Sequence, residues 1–128
     1  MQANAKAFQE AIEKAKNSES INDDRVVLVP SGKKYYTLPF EIVNASDIVL
    51  EVRGKIAACN RIKHWPIENS INKKFQYQHF IWIRNSNNIT LRGGGTIDGR
   101  GYIWWLNAWL VTKKYMPAGA GRPKLIYF

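Results

Sequence analysis

Phe40-Glu41-Ile42-Val43-Asn44-Ala45-Ser46-Asp47-Ile48-Val49-Leu50, moved 41 positions along the chain, falls on Ile81-Trp82-Ile83-Arg84-Asn85-Ser86-Asn87-Asn88-Ile89-Thr90-Leu91. Ile42/Ile83, Asn44/Asn85, Ile48/Ile89 and Leu50/Leu91 are identities, and the match runs on to Gly54/Gly95 and Ile56/Ile97. Each copy reads as a strand, an Asn-rich bend, a second strand with alternating Ile and Leu, a Gly turn and a third short strand. Asn and Gly suit such bends because they accept left-handed backbone angles at little steric cost. Short strands separated by sharp bends are what one coil of a β-solenoid looks like, each coil burying its apolar face on the next. Forty-one residues is long for one coil, so residues 57–79, mixed in Lys, Asn, His and Gln, read as a loop-rich insertion.

Upstream of the repeat, residues 3–17 read as one amphipathic helix. Phe8, Ala11, Ile12 and Ala15 fall at i, i+3, i+4 and i+7, and Lys6, Glu10, Glu13 and Lys14 lie off that stripe. Such a helix would cap the open apolar end of the first coil. Val26 to Val29 is a β-branched run closed by Pro30-Ser31-Gly32, a strand followed by a turn. No second segment has convincing helical periodicity. The expected organisation is a single partial domain over 1–128: capping helix 3–17, first coils 26–56, insertion 57–79, and a further coil over 80–128. That last part holds an aromatic loop at 102–118 and a final strand at 125–128.

Composition narrows the class. The chain has 128 residues, 45% hydrophobic and 23% charged, with five Trp, six Tyr and five Phe, which is surface worth burying and argues against disorder. Its apolar runs are too short to span a bilayer, and the residues after Met1 show no signal-peptide h-region. Cys59 is the only cysteine, so no disulfide forms within the chain. Nineteen Lys and Arg against ten Asp and Glu leave +9, a sign that favours anionic partners: nucleic acid, anionic membrane or acidic polysaccharide. The basic residues cluster only as the doublets Lys33-Lys34, Lys73-Lys74 and Lys113-Lys114. A solvated basic surface is therefore the expectation, in place of a nucleic-acid arm.

These residues resemble a known family. Ala7-Phe8-Gln9-Glu10-Ala11-Ile12 is similar to the capping helix of pectin-degrading β-helix enzymes, and Val26 through Tyr36 to their first strand and turn. The most specific stretch is Ile89-Thr90-Leu91-Arg92-Gly93-Gly94-Gly95-Thr96-Ile97-Asp98-Gly99-Arg100-Gly101 with Trp104-Trp105 after it. It resembles the polygalacturonases of glycoside hydrolase family 28, as does Gly121-Arg122-Pro123 leading into Leu125 to Phe128. The resemblance implies a right-handed parallel β-helix that hydrolyses α-1,4-galacturonosyl links in pectin with inversion, outside the cell. In that chemistry one carboxylic acid protonates the leaving oxygen while another carboxylate activates water on the opposite face. It implies no cofactor and no metal. The partner implied is galacturonan or pectin, for a full-length protein that is a monomer with no nucleic-acid or membrane partner.

The family's Asn-Thr-Asp, Asp-Asp and Gly-His-Gly segments have no counterpart between the Gly-rich stretch and Phe128. The expectation is therefore an N-terminal fragment that holds no catalytic, cofactor-binding or metal residue and is inactive alone. Arg61-Ile62-Lys63 spells the family's substrate-carboxylate motif but precedes the Gly-rich stretch, where a chance match is the simpler reading. Asp23-Asp24 lies beside the capping helix and reads as solvated turn. Asp98 reads as a turn hydrogen-bonder, His64 and His79 as ordinary histidines, and Cys59 as an inert thiol. Tyr102, Trp104, Trp105 and Trp109 could stack on sugars, but four aromatics in eight residues read as packing. Asn44-Ala45-Ser46 and Asn88-Ile89-Thr90 are glycosylation sequons at corresponding bends. Two other functions compete: a non-catalytic carbohydrate-binding or structural β-helix module, and nucleic-acid binding driven by charge.

Overall fold

The strands form three sheets that the chain visits in rotation. The computed structural model describes residues 1–19, 25–69, 75–109 and 121–128. Helix α1 (Gln2–Lys16) is followed by β1 (Val26–Val29), β2 (Lys34–Thr37) and β3 (Phe40–Val43), one strand for each sheet. Next come β4 (Val49–Val52) and β5 (Lys55–Ala58), then a short 3-10 turn (Ile62–His64) and a hairpin of β6 (Ile67–Asn69) and β7 (Phe75–Tyr77). β8 (Ile81–Arg84) completes the second turn. β9 (Thr90–Arg92), β10 (Thr96–Asp98), helix α2 (Tyr102–Trp109) and β11 (Ile126–Tyr127) make the third.

The resulting sheets are β1-β4-β9, β2-β5-β10 and β3-β8-β11, all with parallel pairing. Parallel neighbours cannot be joined by a tight hairpin, and here the chain reaches the next parallel strand by going round the other two sheets. Among the described residues the only antiparallel pair is β6 with β7.

Strand register follows the repeat. Phe40 lies opposite Ile81, Leu50 opposite Leu91, and Ile56 opposite Ile97, each 41 positions apart. Between the first two turns the separations are shorter: Val26 opposite Val49 and Lys34 opposite Lys55, 23 and 21 positions. The basic turn is thus about half the repeat, and the remainder is the excursion from Ala58 to Ile81 that contains the β6–β7 hairpin. The stretch expected to be loop-rich carries structure of its own.

The bends also stack. Asn44, Asp47, Asn85 and Asn88 all have positive φ, between 48° and 59°, and they pair across the 41-residue step. Asn87 Oδ1 accepts from the Ser46 hydroxyl, and Asn88 Nδ2 donates to Asp47 Oδ1. Asn and Asp hold such angles more readily than other side-chain-bearing residues. At the next corner Gly54 and Gly95 are required by close approach. A Cβ on Gly54 would stand 2.3 Å from the Lys33 carbonyl oxygen, and one on Gly95 would stand 2.2 Å from the Gly54 oxygen.

Inside the stack lie Val27, Val29, Phe40, Ile42, Ile48, Leu50, Ile56 and Ile83, all buried. Helix α1 closes the first end. Its Phe8 stacks on Phe40, centroids 4.8 Å apart and planes 7° off parallel, and meets Tyr35 edge-on at 6.0 Å. Ile12 and Ala15 are buried beside it. Among the described residues no helix is long and apolar enough to cross a membrane.

Helix α2 corrects the expectation of an aromatic loop with no second helix. It is apolar on both sides, so no single stripe of period 3.6 marks it in the sequence. Residues 110–118 of the expected loop lie outside the described residues.

Candidate functional site

Strand alternation sends every second side chain of each sheet outward, and stacking brings outward residues of successive turns side by side. On the second sheet this assembles Lys34, Tyr36, Lys55, Asp98 and Arg100. Lys34 Nζ lies 4.8 Å from the Tyr36 ring centroid and Arg100 Cζ 5.4 Å, both within cation–π range. Lys55 Nζ pairs with Asp98 Oδ2 at 3.0 Å, and the Arg100 backbone N–H donates to Asp98 Oδ1 at 2.9 Å. A hydrogen bond from Lys34, with the added charge of Lys34, Arg100 and Lys55, pulls the Tyr36 phenol below its usual range against some desolvation. The Arg100 N–H, then Lys55, holds Asp98 below the usual carboxylate range. Three cations and one carboxylate around an exposed ring make a face suited to anions.

The third sheet builds a second cluster outward. Arg84 sits over the Trp82 ring at 4.7 Å and pairs with Glu41 at 2.9 Å. Lys124 Nζ lies 4.3 Å from the Tyr127 centroid, and the His79 ring is 4.3 Å from that of Tyr127. His79 Nδ1 accepts from the Lys124 backbone N–H at 3.0 Å, so the ring is held by the segment that leads into β11. Burial, then the Lys124 charge, lowers its pKa. Glu68 is pushed up by desolvation and by Glu41, while Arg84 pulls it back.

The first sheet's outward carboxylate, Glu51, is clamped by two arginines at 2.8 Å, Arg53 and Arg92. The Arg92 hydrogen bond leads in holding it below the usual range, with Arg53 adding charge and desolvation opposing. Glu41, Glu51 and Asp98 are therefore each tied to a cation. Among the described residues no group of three or more His, Cys, Asp or Glu stands where it could hold a metal ion.

No family model matches the chain. Curated relatives do. A polygalacturonase of Persea americana is 30% identical over 124 residues, which are 95% of this chain and 24% of that protein. Polygalacturonase QRT2 of Arabidopsis thaliana is 33% identical over 104 residues, 79% of this chain and 21% of that protein. A polygalacturonase of Malus domestica is 30% identical over 121 residues, 93% of this chain and 24% of that protein. The chain belongs to the polygalacturonase-like family. It spans about a quarter of the length of the curated relatives it matches.

In this polygalacturonase-like chain the residues singled out from sequence fall apart from one another. Arg61, Lys63 and His64 are exposed around the 3-10 turn, with Ile62 buried between them. Cys59 is buried, its Sγ 3.9 Å from the Arg61 carbonyl oxygen. Asp98 binds its own turn and Lys55, and His79 packs against β11. Both sequon asparagines, Asn44 and Asn88, are exposed at the stacked bends. Asp23-Asp24, Lys73-Lys74 and Lys113-Lys114 lie outside the described residues.

The aromatic run needs correction. Of its four rings only Trp104 is packed, meeting Trp65 and Tyr77 at 4.9 and 4.8 Å. Tyr102, Trp105 and Trp109 are exposed along one side of α2, and the last two rings are parallel at 6.0 Å. Helical spacing explains the split: positions 102, 105 and 109 share a face, and 104 points away from it. Sequence reasoning missed the two outward clusters. Extending the 41-residue match to Ala57/Asp98, and adding Tyr36 one basic turn before, would have lined up the second-sheet column.

Proposed function

We propose that this chain is the N-terminal part of a glycosidase that hydrolyses α-1,4-galacturonosyl links in pectin. In this reading the three-sheet rotation is that of a right-handed parallel β-helix, with α1 as its cap and the excursion at 57–79 as an insertion in the second turn. The similarity to polygalacturonases over 124 residues, running through all three turns, is the observation that carries the reading. The outward cations supply the field that would draw an anionic polymer. Inverting hydrolysis needs one protonated and one free carboxyl separated by room for water. Glu41, Glu51 and Asp98 are held as ion pairs, and the family's Asn-Thr-Asp, Asp-Asp and Gly-His-Gly segments have no counterpart after the Gly-rich stretch, so this reading assigns the reacting pair to the remainder of the whole protein. The whole protein is read as extracellular and monomeric, with pectin as its partner.

A reducing-sugar assay on polygalacturonate tests the assignment. The 128-residue chain is expected to give no turnover, and a chain extended to the length of its relatives is expected to cleave the polymer. Turnover by the 128-residue chain would overturn the absence of a catalytic pair. An inactive extended chain that still binds polygalacturonate would favour a non-catalytic carbohydrate-binding module.

A further inference from the structure

Helix α2 turns three aromatic rings to solvent. Tyr102 is 69% exposed, Trp105 53% and Trp109 68%. They follow one another along the helix, with ring centroids 6.1 Å and then 6.0 Å apart and planes 30° and then 2° off parallel. Neighbouring rings therefore turn their faces in nearly the same direction. On the other side of the helix Trp104 is wedged against Trp65 and Tyr77, which fixes the rotation of α2 and sets the row before anything binds.

Area and charge decide what this face could hold. At these exposures the three rings offer about 300–500 Å² between them. A stable dimer buries about 800 Å² on each partner, and two copies would each bring a charge of +9, so a second copy fits badly. An interfacial membrane helix sets Lys and Arg opposite its aromatic side, whereas α2 has no charged residue in its sequence YIWWLNAW. The same lack of a cation on the helix disfavours an acidic polymer, whose carboxylates would stand over the negative faces of the rings. A neutral, flat ligand suffers none of these penalties. Sugar rings joined through equatorial oxygens form such a ribbon, and the weakly positive C–H groups on its faces suit the faces of aromatic rings.

From the exposure, the near-parallel row and the absence of charge, we propose that α2 is a docking strip for a neutral β-1,4-linked glucan chain, separate from any site that acts on galacturonan. The ribbon lies along Tyr102, Trp105 and Trp109 with its pyranose faces on the rings. An α-1,4-linked chain bends at each linkage and lays fewer of its rings on the row. The strip needs none of the outward clusters and stands whether or not the whole protein cleaves pectin.

Titrating the ¹⁵N-labelled chain with cellohexaose, maltohexaose and hexagalacturonate, and following the five tryptophan indole N–H signals, tests the strip. The Trp105 and Trp109 signals are identified by their loss in Trp105→Ala and Trp109→Ala. The expectation is a saturable shift of both signals with cellohexaose, with the other two sugars bound at least about tenfold more weakly. The double variant, altered only at exposed positions, should keep the wild-type circular dichroism spectrum and bind cellohexaose about tenfold or more weakly. The proposal is overturned by the absence of a saturable shift with cellohexaose, by equal affinity for hexagalacturonate or maltohexaose, or by unchanged affinity in the double variant. It is equally overturned if sedimentation or flotation shows these rings holding a second copy or a phosphatidylserine vesicle.

Discussion

Leu50 and Leu91 are the same residue at the same place in successive turns, opposite each other in the first sheet, yet one is 2% and the other 44% exposed. Ile48 and Ile56 are sealed, while their counterparts Ile89 and Ile97 are only partly buried. The two ends of the stack explain the difference. At the first end α1 lays Phe8, Ile12 and Ala15 over the inner face of the first turn. At the other end the third turn has no such cover among the described residues, and Leu91, Leu125 and Phe128 are exposed. Burial in this architecture is conferred by the neighbouring turn, and side-chain chemistry alone does not decide it.

Removing the cover is the most severe way to break the comparison. Phe8→Ala deletes the ring stacked on Phe40 and is expected to cost about 3–5 kcal/mol of unfolding free energy in urea. A cost near zero would mean that the helix merely rests on the stack.

A smaller effect concerns the outward clamp that ties turns two and three. The Glu51 carboxyl titrates lower when folded than when unfolded because Arg92 and Arg53 hold its anion. A depressed carboxyl contributes stability above its unfolded pKa, ordinarily about 4.3, and that contribution is lost as pH falls through the folded value. Glu51→Gln should therefore lower the melting temperature at pH 7 and flatten its decline in acid. Parallel curves of melting temperature against pH for the two proteins would show that the clamp adds nothing.

The architecture was legible because its strongest signal is a register. Identities at Ile42/Ile83, Leu50/Leu91 and Gly54/Gly95 recur where stacking demands the same inward side chain or the same missing Cβ. The first helix was legible from its single apolar stripe, whose Phe8, Ile12 and Ala15 are buried. The second helix was not, because Trp104 packs inward while Tyr102, Trp105 and Trp109 spread over the other side, erasing the stripe. The β6–β7 hairpin was hidden by strands of three residues, too short for alternation to register. The outward clusters depend on cations meeting rings across turns, as Arg100 meets Tyr36, contacts that linear spacing does not display.

The matched leucines give the most direct test. Leu50→Ala and Leu91→Ala remove the same atoms from equivalent positions, and urea unfolding of each variant measures what stacking confers. The expected cost is about 2–5 kcal/mol for Leu50→Ala and below about 1 kcal/mol for Leu91→Ala. Equal costs at the two positions would contradict an account in which the neighbouring turn decides burial.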